Sequence, residues 1–288
     1  MLPGSIRKLS YNPAVRSIVQ QLHLGGFARR LYCRLLSSNG ILQMSCLGVN
    51  ATFHAQNHQQ LSFVDSIITT ERKVIEATLS ELAEGDVFLD VGSHYGIYSI
   101  MASKLVGAAG RVIAVEPHPG AVEILRHNLS FNHCQNVDVI NVAFSGTAGL
   151  LPLAYSQHGS HLRRASDPIA SVHQVQAVTG DEALKNFPVP NALKIDVEGH
   201  ESAVLQGLRH TLNHPACRVL CLEIHPPLLP PGVDQSGILA FIQNCGFTIS
   251  SRSARACEVH VIATRLSQPD CESQRRTKTH TEAIGADN

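Results

Sequence analysis

Residues 193–201 read Leu-Lys-Ile-Asp-Val-Glu-Gly-His-Glu, a run that gathers Lys194, Asp196, Glu198, His200 and Glu201. Carboxylates grip hydroxyls, cationic ligand ends or a divalent ion, and imidazole moves protons near neutral pH. Read as a strand, Leu193, Ile195 and Val197 alternate with Lys194, Asp196 and Glu198, so the three charges share one face. Other acids close short apolar runs elsewhere. Asp90 ends "DVFLD", Glu116 ends "RVIAVE", and "RVLCLEIHP" carries Glu223 and His225. A lone buried charge is costly, so pairing of Lys194 with Asp196 or Glu223 is expected. Glu201 falls in the first turn of the next helix, where an acid meets the positive end of the helix dipole.

The elements that must position these groups alternate. Strand-like runs at 86–92, 111–117, 137–145, 192–199 and 218–226 are interspersed with helix-period segments at 97–107, 121–132, 201–212 and 236–246. That order predicts βαβ units with right-handed crossovers and a parallel sheet. A further helix is expected over 70–82, and the runs at 247–250 and 258–265 suit a closing hairpin. Residues 151–176 break the alternation with His158, His161, Arg163, Arg164 and His173. They are expected to form a long loop over the substrate.

In a doubly wound sheet, ligands bind outside the carboxyl ends of the strands. The first strand ends in the turn "LDVGSHYG", where Gly92 and Gly96 permit a sharp bend and the close approach of a ligand. Glu116, at the end of the next strand, can accept hydrogen bonds from two ribose hydroxyls. The tight glycine pair of the dinucleotide fingerprint is missing. Asp90 would repel a phosphate and suits a ligand with a cationic end. S-adenosylmethionine is the nucleoside these features favour.

The segments "DVFLDVGSHYGIYSIMASKLVG", "GRVIAVEPHP" and "LKIDVEGHE", followed by "LCLEIHP", resemble the FkbM family of S-adenosylmethionine-dependent methyltransferases over about residues 61–264. The resemblance implies the Rossmann-like, doubly wound, mostly parallel seven-stranded sheet of class I methyltransferases. It also implies cofactor contacts at Asp90, Gly92, Gly96 and Glu116; His94, in the same turn, and Asp196 are further candidate cofactor contacts read from the residues themselves. His94 departs from a family position that often carries a small residue or Asn. Family members are mostly O-methyltransferases acting on sugars in glycans and glycolipids or on polyketide hydroxyls. An O-methyltransferase for a hydroxyl of a saccharide, glycolipid or related small molecule is therefore the expected function.

Such a reaction depends on alignment, worth ~7–11 kcal/mol, more than on a general base, worth ~10²–10⁴ in rate. Asp196 is the first candidate for holding the acceptor hydroxyl or the methionyl end, and His200 and His225 are the candidate bases. No metal is expected; the alternative is a divalent cation on Asp196, Glu223 and His225. Three rival functions stand beside this one: a non-catalytic S-adenosylmethionine binder, a nicotinamide-dependent oxidoreductase and, disfavoured by zero net charge and scarce aromatics, a protein or nucleic-acid methyltransferase.

The bulk properties set outer bounds. Formal net charge is zero across 288 residues and Trp is absent, which argues against a nucleic-acid partner. The eight cysteines are scattered without a CxxC pair, which suggests reduced thiols, a cytoplasmic location and no zinc site. No apolar run reaches the ~18 residues of a transmembrane helix. Residues 1–64 contain no Asp or Glu but carry Arg7, Lys8, Arg16, Arg29, Arg30 and Arg34. They are expected as a helical or irregular extension, with helices over 13–37, and their composition also suits peripheral membrane contact. The methyltransferase domain is expected over 65–266, followed by a polar, disordered tail over 267–288.

Overall fold

Strands that carry apolar residues without alternation must be covered on both faces. That pattern dominates the computed structural model, which describes residues 37, 39–156, 159–162, 171–255 and 257–265. The helices expected over 13–37, the tail over 267–288, and His158, Arg163 and Arg164 lie outside the described residues.

A seven-stranded sheet forms the centre. Its strands are β3 (Val87–Val91), β4 (Arg111–Val115), β5 (Val137–Ile140), β10 (Ala192–Ile195), β11 (Val219–Ile224), β12 (Thr248–Arg255) and β13 (Glu258–Thr264). Their spatial order is β12-β13-β11-β10-β3-β4-β5. Neighbours from β11 through β5 are parallel, whereas β13 runs antiparallel to both β11 and β12. The expected closing hairpin is β12–β13. Every residue of β3, β10 and β11 is buried.

Side-chain alternation along these strands divides the core in two. Phe88, Val112, Ala192 and Val219 pack beneath α1 (His58–Thr70), α2 (Arg72–Leu79), α3 (Ile97–Val106) and α4 (Pro119–Phe131). Leu89, Ile113, Leu193 and Leu222 face the other way, toward α6 (Glu201–Gly207), α7 (Arg209–Asn213) and α8 (Gln235–Asn244). This is the doubly wound class I methyltransferase architecture that the motifs imply. Among the described residues, no helix is long and apolar enough to cross a membrane.

Residues 41–64 join this core. Strands β1 (Ile41–Cys46) and β2 (Val49–His54) form an antiparallel hairpin. Backbone N–H groups of Thr52 and His54 donate to the side-chain oxygens of Asn132 and Asn128, at 2.8 and 3.0 Å. Leu42, Met44 and Phe53 are buried with Ile75, Ile100 and Met101. Helix α1, started by Asn57 accepting from the N–H groups of Gln59 and Gln60, runs through residues 64 and 65.

The expected long loop at 151–176 is corrected. Strands β6 (Ala143–Phe144), β7 (Gly149–Ser156), β8 (Gly159–Leu162) and β9 (Ser171–Val178) form a second sheet in the order β6-β9-β7-β8. Leu153, Val175 and Ala177 are buried in it, while Leu150 is 70% exposed. The two-residue period was present in the sequence, but the polar residues around it masked the pattern. The short helix α5 (Gly180–Leu184) leads back to the main sheet.

Candidate active site

The central strands end on an open cleft. It lies where β3 and β10 run side by side while their connections leave in opposite directions, the position at which such sheets bind ligands. Phe63 and Ile67 of α1 form one wall, and Phe144 and Leu153 from the second sheet form another. The floor comprises the β3–α3 turn, Glu116, Lys194 and the loop from Asp196 to His200.

The β3–α3 turn is held open by backbone geometry. Gly92, His94 and Gly96 all have positive φ, at 78°, 46° and 86°. A Cβ at Gly92 would stand 1.9 Å from the carbonyl oxygen of Asp196, and one at Gly96 would meet Leu125 Cδ1 at 2.4 Å. A Cβ at either glycine would therefore collide with the protein itself, while the Gly92 backbone still lines the cleft. His94 packs between Phe63 and Tyr95, with ring centroids 4.3 and 3.9 Å away. Its Nδ1 is buried without a hydrogen-bond partner. Burial, aided by the Lys194 charge, pushes its pKa down to about 3.

Glu116 ends β4 and is 3% exposed. Its Oε2 accepts from the N–H of His94 at 2.9 Å, and its Oε1 from the N–H of His118 at 2.8 Å. Burial outweighs both donors and pushes its carboxyl up to about 7. Each oxygen retains a lone pair for a further donor.

The charged run at 193–201 is not one strand. Strand β10 stops at Ile195, so only Lys194 keeps a strand position, while Asp196 and Glu198 stand on the loop beyond. The expected common strand face of the three charges is thereby corrected. Lys194 Nζ donates to the Gly92 carbonyl at 2.8 Å and lies 3.5 Å from Asp90 Oδ1 and 3.4 Å from Asp196 Oδ2. Burial works against its charge, but Asp196, Asp90 and Glu223 outweigh it and hold its pKa above the usual lysine range. Asp196 sits below the usual carboxyl range: burial, the largest influence, would raise it, but Lys194 and His225 prevail.

Asp90 and Gly96 do not line the cleft. The Asp90 side chain is fully buried on the α1–α4 face of β3, where its Oδ2 accepts from Ser99 Oγ at 2.6 Å. Its register partner across the ladder is Lys194. A strand end reveals which face a side chain takes, but not whether a helix covers that face; α3 covers this one.

The two candidate bases separate. His200 lines the cleft, and its Nε2 lies 3.0 Å from Ser145 Oγ, a partner no sequence motif announces. Burial lowers its pKa. His225 is 5% exposed and does not line the cleft. Its Nδ1 lies 2.8 Å from Oε1 of the fully buried Glu201, which also accepts from the N–H of Gly199 at 2.9 Å. Burial opposes its charge, but Glu201, Asp196 and Glu198 push His225 up to about 9.

Glu198 has φ +52°, a left-handed turn that brings its carboxyl back toward His225. Burial, then Asp196, pushes its pKa up to about 7. Ligand atoms of Asp196, Glu198 and His225 lie within 4.8 Å of one another. Glu223, the third member of the triad considered from sequence, gathers instead with Glu258 and His260. The strand period puts Glu223 on the same face as Asp196, whereas Glu198 joins the cluster through the loop conformation alone.

The chain is similar to known methyltransferases. The Methyltransferase FkbM domain model matches residues 90–249. The hexuronic acid methyltransferase AglP of Haloferax volcanii is 28% identical over 191 residues, 65% of this chain and 75% of that one. Among solved structures, the precorrin-6y C5,15-methyltransferase of Geobacter metallireducens GS-15 aligns with TM-score 0.45 and 18% identity, covering 67% of this chain and 88% of that chain. A SAM-dependent methyltransferase from Aquifex aeolicus gives TM-score 0.41 and 16% identity, over 68% and 89%. The fold class rests on the strand order rather than on these scores. With the family model spanning more than half of its residues, the chain belongs to the FkbM methyltransferase domain family and is an S-adenosylmethionine-dependent methyltransferase.

Proposed function

We propose that the protein methylates a hydroxyl of a saccharide, glycolipid or related small molecule. The observation that carries this reading is the convergence of His94, Glu116, Asp196, Glu198 and His200 on one cleft. The residues present fit the cofactor, since the buried Nδ1 of His94 lacks a hydrogen-bond partner and the spare lone pairs of Glu116 await donors. When bound, S-adenosylmethionine supplies a methyl group already activated on sulfonium sulfur.

Glu116 would hold the ribose hydroxyls, and Phe63, His94 and Tyr95 would form an apolar wall beside the base. Asp196, pinned by Lys194, would hold the methionyl ammonium or the acceptor hydroxyl. Asp90 acts one step back, through Lys194. His200 is the base: Ser145 fixes its ring through Nε2, leaving Nδ1 to take the proton as the acceptor oxygen attacks. His225, off the cleft wall and held by Glu201, does not share that role. Support for a saccharide acceptor comes from AglP, which by name acts on a hexuronic acid.

The test has two stages. Calorimetry should show S-adenosylhomocysteine binding, and labelled methyl should then pass to a hexuronic acid glycoside or a neutral glycoside. His200→Ala should lower kcat by ~10²–10⁴ with cofactor-product affinity unchanged. Binding without transfer to any acceptor would leave the non-catalytic binder standing. Stabilisation by NAD but not by S-adenosylhomocysteine would overturn the reading altogether.

A further inference from the structure

We infer that Asp196, Glu198 and His225 form a binding site for one divalent first-row cation at the edge of the cleft. Oδ1 of Asp196, Oε2 of Glu198 and Nε2 of His225 are the ligand atoms. Asp196 and Glu198 line the cleft, so coordination positions on that side remain open to a small molecule.

The imidazole is the informative group. His225 is 5% exposed, and its Nδ1 is locked at 2.8 Å by a carboxyl oxygen of the fully buried Glu201. A carboxyl behind one ring nitrogen, orienting the other toward a metal, is the usual support for a metal-binding histidine. The other nitrogen, Nε2, stands 3.7 Å from Glu198 Oε2, 3.7 Å from Glu223 Oε1 and 3.9 Å from Asp196 Oδ1. All three separations exceed hydrogen-bonding reach. They are close to the spacing of neighbouring ligands around an ion bound at about 2.1 Å, which is roughly 3.0–3.5 Å. Asp196 and Glu198 need to approach Nε2 by a few tenths of an ångström to about 0.9 Å, their own ligand oxygens already lie within 4.8 Å of each other, and both side chains are partly exposed and have the freedom to close in.

Lys194 does not compete for the same atom. It approaches Asp196 through Oδ2, leaving Oδ1 toward His225. Glu223 also brings its Oε1 to 3.7 Å from Nε2, but its other oxygen, Oε2, lies 3.4 Å from His260 Nδ1, which ties that carboxyl to the neighbouring strand. Two carboxyl oxygens, one imidazole nitrogen and open positions for water suit Mn²⁺. The site stands on geometry; its role rests on the proposed methyl transfer. There, the ion takes two neighbouring oxygens of the acceptor, a hydroxyl and an adjacent hydroxyl or carboxylate, and makes the hydroxyl a better nucleophile.

The full chain, stripped with chelator, is titrated with MnCl₂ while the free-ion EPR signal is recorded. One Mn²⁺ should bind per chain, and Glu198→Gln or His225→Asn should weaken it at least about tenfold. Glu201→Gln should weaken it by ~10–100-fold through loss of orientation. Glu198 is partly exposed, so its variant keeps the test open should His225→Asn fail to fold. Calorimetry with S-adenosylhomocysteine runs alongside. Cofactor-product binding without Mn²⁺ binding up to 1 mM, about the weakest affinity of an extracellular calcium module, overturns the cation site and leaves the methyltransferase reading intact. Mn²⁺ binding unchanged in both ligand variants also overturns it. Mn²⁺ binding without S-adenosylhomocysteine binding refutes the function but not the site.

Discussion

Replacing Lys194 with Met isolates the ion pair that joins β3 to β10. The substitution roughly keeps side-chain volume but removes the charge and the donor to the Gly92 carbonyl. Lys194 is 5% exposed and Asp90 is fully buried, so Asp90 is left with no cation to face and no route to water. Asp196 is partly exposed and can turn outward, so it contributes less. Removing one partner of a buried pair typically costs about 3–5 kcal/mol. For a domain of this size, each kcal/mol lowers Tm by about 2–4 °C, so a fall of roughly 6–20 °C is expected. Urea unfolding at pH 7.5 and thermal melting measure it. The double variant Lys194→Met/Asp90→Asn should recover about 1–3 kcal/mol, because the orphaned acid is gone. A loss under about 1 kcal/mol for Lys194→Met, or no recovery in the double variant, would refute the idea that this pair is a buried electrostatic link.

Two further outcomes follow from the same floor of the cleft. Gly92→Ala puts a Cβ 1.9 Å from the Asp196 carbonyl oxygen on a backbone at φ +78°; it should cost at least about 2 kcal/mol in chemical unfolding and abolish S-adenosylhomocysteine binding in calorimetry. Glu116 is raised to about 7. If ribose hydroxyls bind its ionised form, affinity for S-adenosylhomocysteine should fall as pH drops below 7, by up to about tenfold per unit. The same shift has a stability sign: the folded state holds the proton more tightly, so stability from this group is lost as pH rises from about 4.5 toward 7. Glu116→Gln should flatten both profiles, and an unchanged slope in that variant would count against Glu116 as the titrating group.

The doubly wound frame was legible in the order of residues alone. Continuous apolar runs such as "VLCLEI" demand cover on both faces, and their alternation with helix-period segments leaves few topologies. The pairing of Lys194 with an acid was legible for the same reason, since burial of an unpaired charge is too costly. Tertiary structure decided the rest, because periodicity assigns a residue to a face without saying what covers it. Asp90 has the strand-end position of a ligand contact, yet α3 lies over it and its partner is Lys194. The sequence offered Glu223 as the companion of Asp196 and His225, but β10 ends at Ile195 and a left-handed residue turns Glu198 toward His225 as well. Ser145 reaches His200 across 55 residues of chain, a contact made by folding rather than by any local pattern. Local spacing sets which groups a strand or helix can offer, while which of them meet depends on loop conformation and long-range packing.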